Sequence, residues 1–141
     1  MIHSALIGMG SNIEPERHMS SAAAAIRKRF PEARFSSVYR SAAVGMDADD
    51  FLNACCLITD VPDESILRAW LKGLEDVHGR NRSQGSWQPR TLDLDLLMYD
   101  EAVRDDDLFR YPHAYVPTTE LIEMVLPENG KGELIKVALS L

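Results

Sequence analysis

From Thr91 to Tyr99 the chain reads Thr-Leu-Asp-Leu-Asp-Leu-Leu-Met-Tyr, and its apolar and polar residues alternate. A period of two predicts a β-strand. Successive strand side chains point to opposite faces, so Asp93 and Asp95 share one face, with Cα atoms about 6–7 Å apart. Leu92, Leu94 and Leu96 take the other face and anchor the strand to a core. Two carboxylates at this spacing suit a pair of divalent cations, which lie roughly 3.5–4 Å apart in two-metal sites. The same pattern also marks the solvated face of an antiparallel sheet, so the aspartates need a second signal.

That signal lies just upstream. Between Val77 and Leu92 stand Arg80, Arg82 and Arg90 and no acid, in a chain whose net charge is −7. Arginine forks match phosphate oxygens. Gly, Ser, Asn and Gln fill the rest of the segment and predict a mobile loop feeding into the acidic strand. Arginines for phosphates beside aspartates for metal are what transfer from a nucleoside triphosphate requires.

The remaining elements follow from periodicity. Ser4 to Met9 reads as a buried strand. The Gly8-Met9-Gly10 run lacks the third glycine of a dinucleotide fingerprint and reads as a turn into a helix. Pro15 suits a first helical turn, Met19, Ala23, Ile26 and Phe30 recur at helical spacing, and Pro31 ends the helix. Phe35 to Arg40 and Phe51 to Thr59 predict two strands that pair antiparallel across the loop between them. Asp60 or Asp63 caps a second helix with Pro62 in its first turn. Ile66, Leu67, Trp70, Leu71, Leu74 and Val77 form its buried stripe, and Gly79 stops it. After Tyr99, a short strand at Ala102–Val103, an acidic loop from Asp105 to Asp107 and a helix from Pro117 to Met124 are expected. Asn129-Gly130 predicts a turn. Leu134 to Leu141 fits strand or helix. The fold class is therefore α+β: a ferredoxin-like βαββαβ core with a mainly antiparallel sheet and C-terminal additions.

With 141 residues the chain is expected to form one domain spanning residues 1–141. Its acidity disfavours nucleic acid or an anionic membrane as partner. Cys55 and Cys56 are adjacent, point to opposite strand faces and have no spaced partner for a zinc site, so they read as reduced core residues. No signal peptide and no long apolar run are visible, which predicts a cytoplasmic protein. A monomer is expected.

The run Pro89-Arg90-Thr91-Leu92-Asp93-Leu94-Asp95-Leu96-Leu97 resembles the signature of hydroxymethyl-dihydropterin pyrophosphokinase, a family of folate synthesis. Gly10-Ser11-Asn12, Val38-Tyr39-Arg40-Ser41, Phe51-Leu52-Asn53-Ala54, Gly79-Arg80-Asn81-Arg82 and Pro112-His113 fall in that family's order and spacing, over about residues 4 to 125. The resemblance implies transfer of pyrophosphate from ATP to the hydroxymethyl group of a reduced pterin, with release of AMP. It implies that Asp93 and Asp95 hold two Mg²⁺, and that Arg80, Arg82 and Arg90 grip phosphates. It places Glu75, Arg82, Trp87, Arg90, Leu96 and His113 at the nucleotide. It places Val44, Phe51, Asn53, Trp87, Asp95 and Leu121 at the pterin. On helical periodicity Glu75 stands off the apolar stripe, which equally fits solvated helix surface.

The chain also departs from the family. Ser86 and Thr119 stand where basic residues are usual, Gln88 where a glycine is, Leu121 where a second stacking aromatic is, and Ala42-Ala43 where two prolines are. Two further readings therefore stand beside the first: a paralogue acting on another pterin-like alcohol, and a non-catalytic nucleotide- or pterin-binding regulator.

Overall fold

The computed structural model describes residues 2–41, 50–79, 91–123 and 134–141. Its elements are β1 (Ser4–Ser11), α1 (Pro15–Arg29), β2 (Arg34–Phe35), β3 (Val38–Ser41), β4 (Phe51–Thr59), α2 (Glu64–Val77), β5 (Asp93–Tyr99), β6 (Ala102–Val103), α3 (Asp107–Arg110), α4 (Pro112–Thr118) and β7 (Ile135–Val137). The strands form one sheet in the order β6-β5-β1-β4-β3-β7, with β2 also paired to β4. Every pairing between described strands is antiparallel. With β2 and β3 read as one interrupted strand, the sequence order is βαββαβ, and β5-β1-β4-β3 is the ferredoxin-like arrangement. The expected α+β class and its C-terminal additions are both present. No helix among the described residues is long and apolar enough to cross a membrane.

The sheet has two apolar faces. On one, Ala5, Ile7 and Met9 of β1, Ala54, Cys56 and Ile58 of β4, and Leu94 and Leu96 of β5 meet Met19, Ala22 and Ile26 of α1 and Leu67, Leu71 and Leu74 of α2. The small residues Ala22 and Ala23 are both buried and let α1 sit close to the sheet. On the other face Leu6, Cys55 and Leu97 lie under Leu108 and Tyr115 of α3 and α4. Among the described residues, this second cover reaches over only part of the face.

Several expectations are corrected. The strand expected over Phe35–Arg40 breaks at Ser36–Ser37. The Cys55 N–H donates to Ser36 Oγ at 2.8 Å, so a side chain replaces a backbone acceptor in the ladder. The stripe of α2 is narrower than its six apolar residues implied: Ile66 and Val77 are 56% and 81% exposed, while Leu67, Leu71 and Leu74 are buried. Pro62 precedes α2, which begins at Glu64 with Asp63 as its N-cap residue. The helix expected to start at Pro117 instead starts at Pro112 and contains Pro117. Proline suits the first helical position, but inside a helix it removes one hydrogen bond, and α4 ends one residue later at Thr118. Asp107 belongs to α3 rather than to a loop, and the C-terminal stretch contains a strand, β7. The loop expected over Ser41–Asp50 and the turn at Asn129-Gly130 fall mostly or wholly outside the described residues.

A bulge in β5 also changes which way its last residues point. Leu6 pairs with Met98 and Ile7 with Leu96, so Leu97 is the extra residue. Leu94 and Leu96 face α1 and α2 as predicted, whereas Leu97 turns to the α3–α4 side. Leu67, which is fully buried, should lose about 2–5 kcal/mol of stability as Leu67→Ala. Val77→Ser should stay within about 0.5 kcal/mol of the parent. Urea denaturation of both variants checks the narrowed stripe.

Candidate active site

The part of the second sheet face that α3 and α4 leave open is built on β1. Cα pairing runs Asp93–Gly10–Asn53–Tyr39 across four strands in one row, and Asp95–Gly8–Cys55 in the next. These residues share a side because each row is in register and strand side chains alternate. Gly10 leaves the floor bare between Asp93 and Asn53, while the Leu97 side chain occupies the space above Gly8. A Cβ on Gly10 would meet nothing closer than Asn53 Oδ1 at 3.6 Å and Phe51 Cδ1 at 3.8 Å. Asp93 and Asn53 stand two strands apart, so their Cα atoms are about 9–10 Å from one another.

The carboxylate side is crowded with charge. Asp95 is open to solvent at the sheet surface, yet protein atoms surround the base of its carboxyl. That desolvation first, then the charges of Asp93, Asp105 and Glu75 and a hydrogen bond that protonated Asp95 donates to Asp93, raises the Asp95 pKa well above the usual carboxylate range. Without a cation, the pair favours keeping a proton. A divalent cation relieves the same repulsion and expels that proton. Among the described residues no group of three or more His, Cys, Asp or Glu side chains is arranged to hold a metal. Two carboxylates with the remaining positions filled by water and phosphate oxygens are what Mg²⁺ accepts.

Glu75 holds this arrangement from behind. The expectation that it could be solvated helix surface is overturned: it is 5% exposed, and Leu94 N–H donates to its Oε2 at 2.8 Å. The bonded peptide is the one between the two aspartates, so α2 sets their spacing through the β5 backbone. Sequence periodicity missed this because the requirement comes from the strand, which lies far along the chain.

On the acceptor side, Asn53 is buried, and its Nδ2 donates to Ser41 Oγ at 2.7 Å and to Tyr39 O at 3.3 Å. The Tyr39 carbonyl can only accept, so the amide orientation is set and Oδ1 faces the Gly10 floor. Phe51, half-buried, stands beside that floor, and Leu121 packs against the cluster of Leu6, Cys55 and Leu97. His113, in the first turn of α4, stacks on Tyr111 with centroids 5.2 Å apart. Burial lowers its pKa, against the charges of Asp107 and Asp93, so it faces the acidic side as a neutral imidazole at pH 7.

The structure thus brings together Asp93, Asp95, Glu75, His113, Phe51 and Asn53. The side chain of Leu96 is buried on the opposite face, in the core with α1 and α2, which leaves its backbone as the part nearest the acidic row. Gly79 ends α2 with φ of +82°, as a glycine stop requires. Val44, Arg80, Arg82, Trp87 and Arg90, with Ser86 and Gln88, lie outside the described residues.

The strand order and the acidic open face define the class, an α+β enzyme of ferredoxin-like architecture. Residues 6–128 match the family of 7,8-dihydro-6-hydroxymethylpterin-pyrophosphokinase. The chain is 32% identical to the 2-amino-4-hydroxy-6-hydroxymethyldihydropteridine pyrophosphokinase of Synechocystis sp., across 92% of this chain and 72% of that protein. It is 34% identical to the protein of the same name from Campylobacter jejuni, across 87% and 79%. It is 32% identical to that of Methylorubrum extorquens, across 96% and 91%. The chain belongs to this pyrophosphokinase family.

Removing the acceptor that Glu75 supplies should destabilise the fold. Glu75→Ala leaves the Leu94 N–H unpaired and should cost roughly 1.5–3 kcal/mol. Glu75→Gln, which keeps an oxygen at that position, should lose less than half as much. Denaturant midpoints of the two variants give the comparison.

Proposed function

We propose that Asp93 and Asp95 hold two Mg²⁺ ions over which the chain transfers pyrophosphate from ATP to the hydroxymethyl group of 6-hydroxymethyl-7,8-dihydropterin, in folate biosynthesis. One observation carries this reading: paired carboxylates and a buried, oriented amide flank a glycine floor on one open sheet face. The donor set fits the ions, because two crowded acids need a cation and Mg²⁺ keeps much of its water. When bound there, Mg²⁺ would supply positive charge to offset that of the phosphate oxygens.

The chain's own residues do the rest by positioning. Asn53 Oδ1 accepts from the polar edge of the pterin above Gly10, and Phe51 and Leu121 border the ring with Trp87 and Val44. The acceptor is thereby aimed along the row toward Asp93. Its hydroxymethyl oxygen attacks the β-phosphorus of ATP, and the bond from that phosphorus to the α-phosphate's bridging oxygen breaks. AMP leaves, and the hydroxyl proton passes to solvent. Arg80, Arg82 and Arg90 hold phosphate oxygens, His113 donates to one of them, and Glu75 and the Leu96 backbone border the nucleotide. The protein acts as a single-domain monomer in the cytoplasm.

Asp95→Ala and Asp93→Ala should each abolish AMP release in the presence of ATP, Mg²⁺ and the pterin, with the circular dichroism spectrum unchanged. Near wild-type AMP release by either variant would remove the two-metal assignment. ADP in place of AMP would point to a different transfer. ATP turnover only with another alcohol would favour the paralogue.

Thr119 is exposed, and its hydroxyl donates to the Val116 carbonyl at the end of α4. It stands where the family carries a basic residue. Thr119→Arg should lower the KM for ATP by about two- to fivefold, a modest gain because the site is solvated. AMP formation against ATP concentration measures it.

A further inference from the structure

Glu120 follows α4 and takes no part in the reaction set out above, yet it collects more donors than its surface position explains. The Ser37 N–H and Ser37 Oγ donate to its Oε1 at 3.0 and 2.9 Å, and the Tyr39 hydroxyl donates to its Oε2 at 2.5 Å. The two Ser37 donors come from the break between β2 and β3 at Ser36–Ser37, and Tyr39 stands in β3 just beyond it. An interrupted strand has fewer backbone bonds to hold it at the break, so a side-chain acceptor has more influence there than on a continuous strand.

The residues Glu120 holds lead directly to the acceptor subsite. Tyr39 pairs in register with Asn53. The Tyr39 carbonyl and the Ser41 hydroxyl receive the two hydrogen bonds of the Asn53 amino group. Lys136 of β7 lies over the Tyr39 ring, its Nζ 5.7 Å from the centroid. Burial works to raise the Glu120 pKa, but the hydrogen bonds from Tyr39 and Ser37 and the charge of Lys136 outweigh it, so the carboxylate stays ionised. Burial and the bond to Glu120 push the Tyr39 hydroxyl up to about 12, so it remains a donor. A charged acceptor with neutral donors on one side and a lysine on the other is a fixed clamp.

We propose that Glu120 is a positioning residue for the acceptor: its carboxylate clamps the break between β2 and β3 so that Tyr39 and Ser41 hold the Asn53 amide with Oδ1 toward the Gly10 floor. The inference rests on the reading of Asn53 as the pterin-binding amide. Glu120 touches neither substrate, so its loss acts on acceptor binding and leaves the phosphate side alone.

The test is steady-state AMP release with pterin and ATP varied in turn, for wild type, Glu120→Ala, Glu120→Gln, Tyr39→Phe, the Glu120→Ala/Tyr39→Phe double variant and Asn53→Ala. Glu120→Ala and Tyr39→Phe should each raise the KM for pterin about fivefold, the equivalent of one lost hydrogen bond. The KM for ATP and kcat should stay within about twofold. The double variant should be no worse than Glu120→Ala, because both changes break one linkage. Glu120→Gln, which keeps one acceptor oxygen, should fall between wild type and Glu120→Ala. A lower melting temperature with an unmoved pterin KM in Glu120→Ala and Tyr39→Phe would make the clamp merely structural and overturn the proposal. If Glu120→Ala does not fold, Glu120→Gln and Tyr39→Phe decide by the same criterion. If Asn53→Ala also leaves the pterin KM unchanged, the acceptor assignment itself falls. If Asn53→Ala raises it and the clamp variants do not, only the role of Glu120 falls.

Discussion

β1 is hydrogen-bonded along both edges, to β4 and to β5, and every part of the open face takes its place from that double pairing. A central strand cannot slip by one residue without turning its buried side chains out of the core. Ala5, Ile7 and Met9 therefore lock the register from below, and Gly8 and Gly10 are forced to the upper side. A Cβ at Gly10 would stand on the surface between Asp93 and Asn53, 3.6 Å from Asn53 Oδ1. The bare floor is thus a consequence of core packing on the reverse face.

Charge is the second constraint. Asp93, Asp105 and Glu75 all act on Asp95 in a chain that already carries a net charge of −7. Like charges this near are tolerated only where each has a counterweight. Glu75 has the Leu94 N–H, and Asp105 Oδ1 accepts from the Asp107 N–H at 2.9 Å. At Asp95, desolvation and these neighbouring charges raise the pKa well above the usual carboxylate range. Acidity that would be a cost in a plain surface becomes useful where the ligand is a metal with its phosphates.

The second face shows how cover and opening are divided. Leu97, brought over by the bulge, fills the space beneath α3 and α4 with Leu6 and Cys55. A Cβ at Gly8 would press on Leu97 Cδ1 at 3.2 Å, so the glycine also gives the bulged leucine its room. Closing that side lets α4 bring His113 to the acidic row and Glu120 to Ser37 and Tyr39. The Ser36–Ser37 break, Tyr39 and Glu120 form the opposite wall.

By itself the sequence determined the βαββαβ order, the spans of α1 and β4, the shared face of Asp93 and Asp95, and the family. All of these rest on local periodicity or on contiguous motifs, which short-range geometry translates directly. The tertiary structure alone decided the rest. Glu75 fitted solvated helix surface as well as the family's nucleotide-side carboxylate, and it is buried where its carboxylate accepts from the Leu94 N–H of β5. Ile66 and Val77 looked like core, and stay exposed because the sheet is reached by a narrower part of α2. Pro117 looked like a helix start, yet Pro112 takes that position, with α4 packed on Leu6, Cys55 and Leu97. Glu120 had no signal at all, since its partners lie 81 and 83 residues away. Each of these depends on which donor or surface a distant element presents, and a one-dimensional pattern carries no record of that.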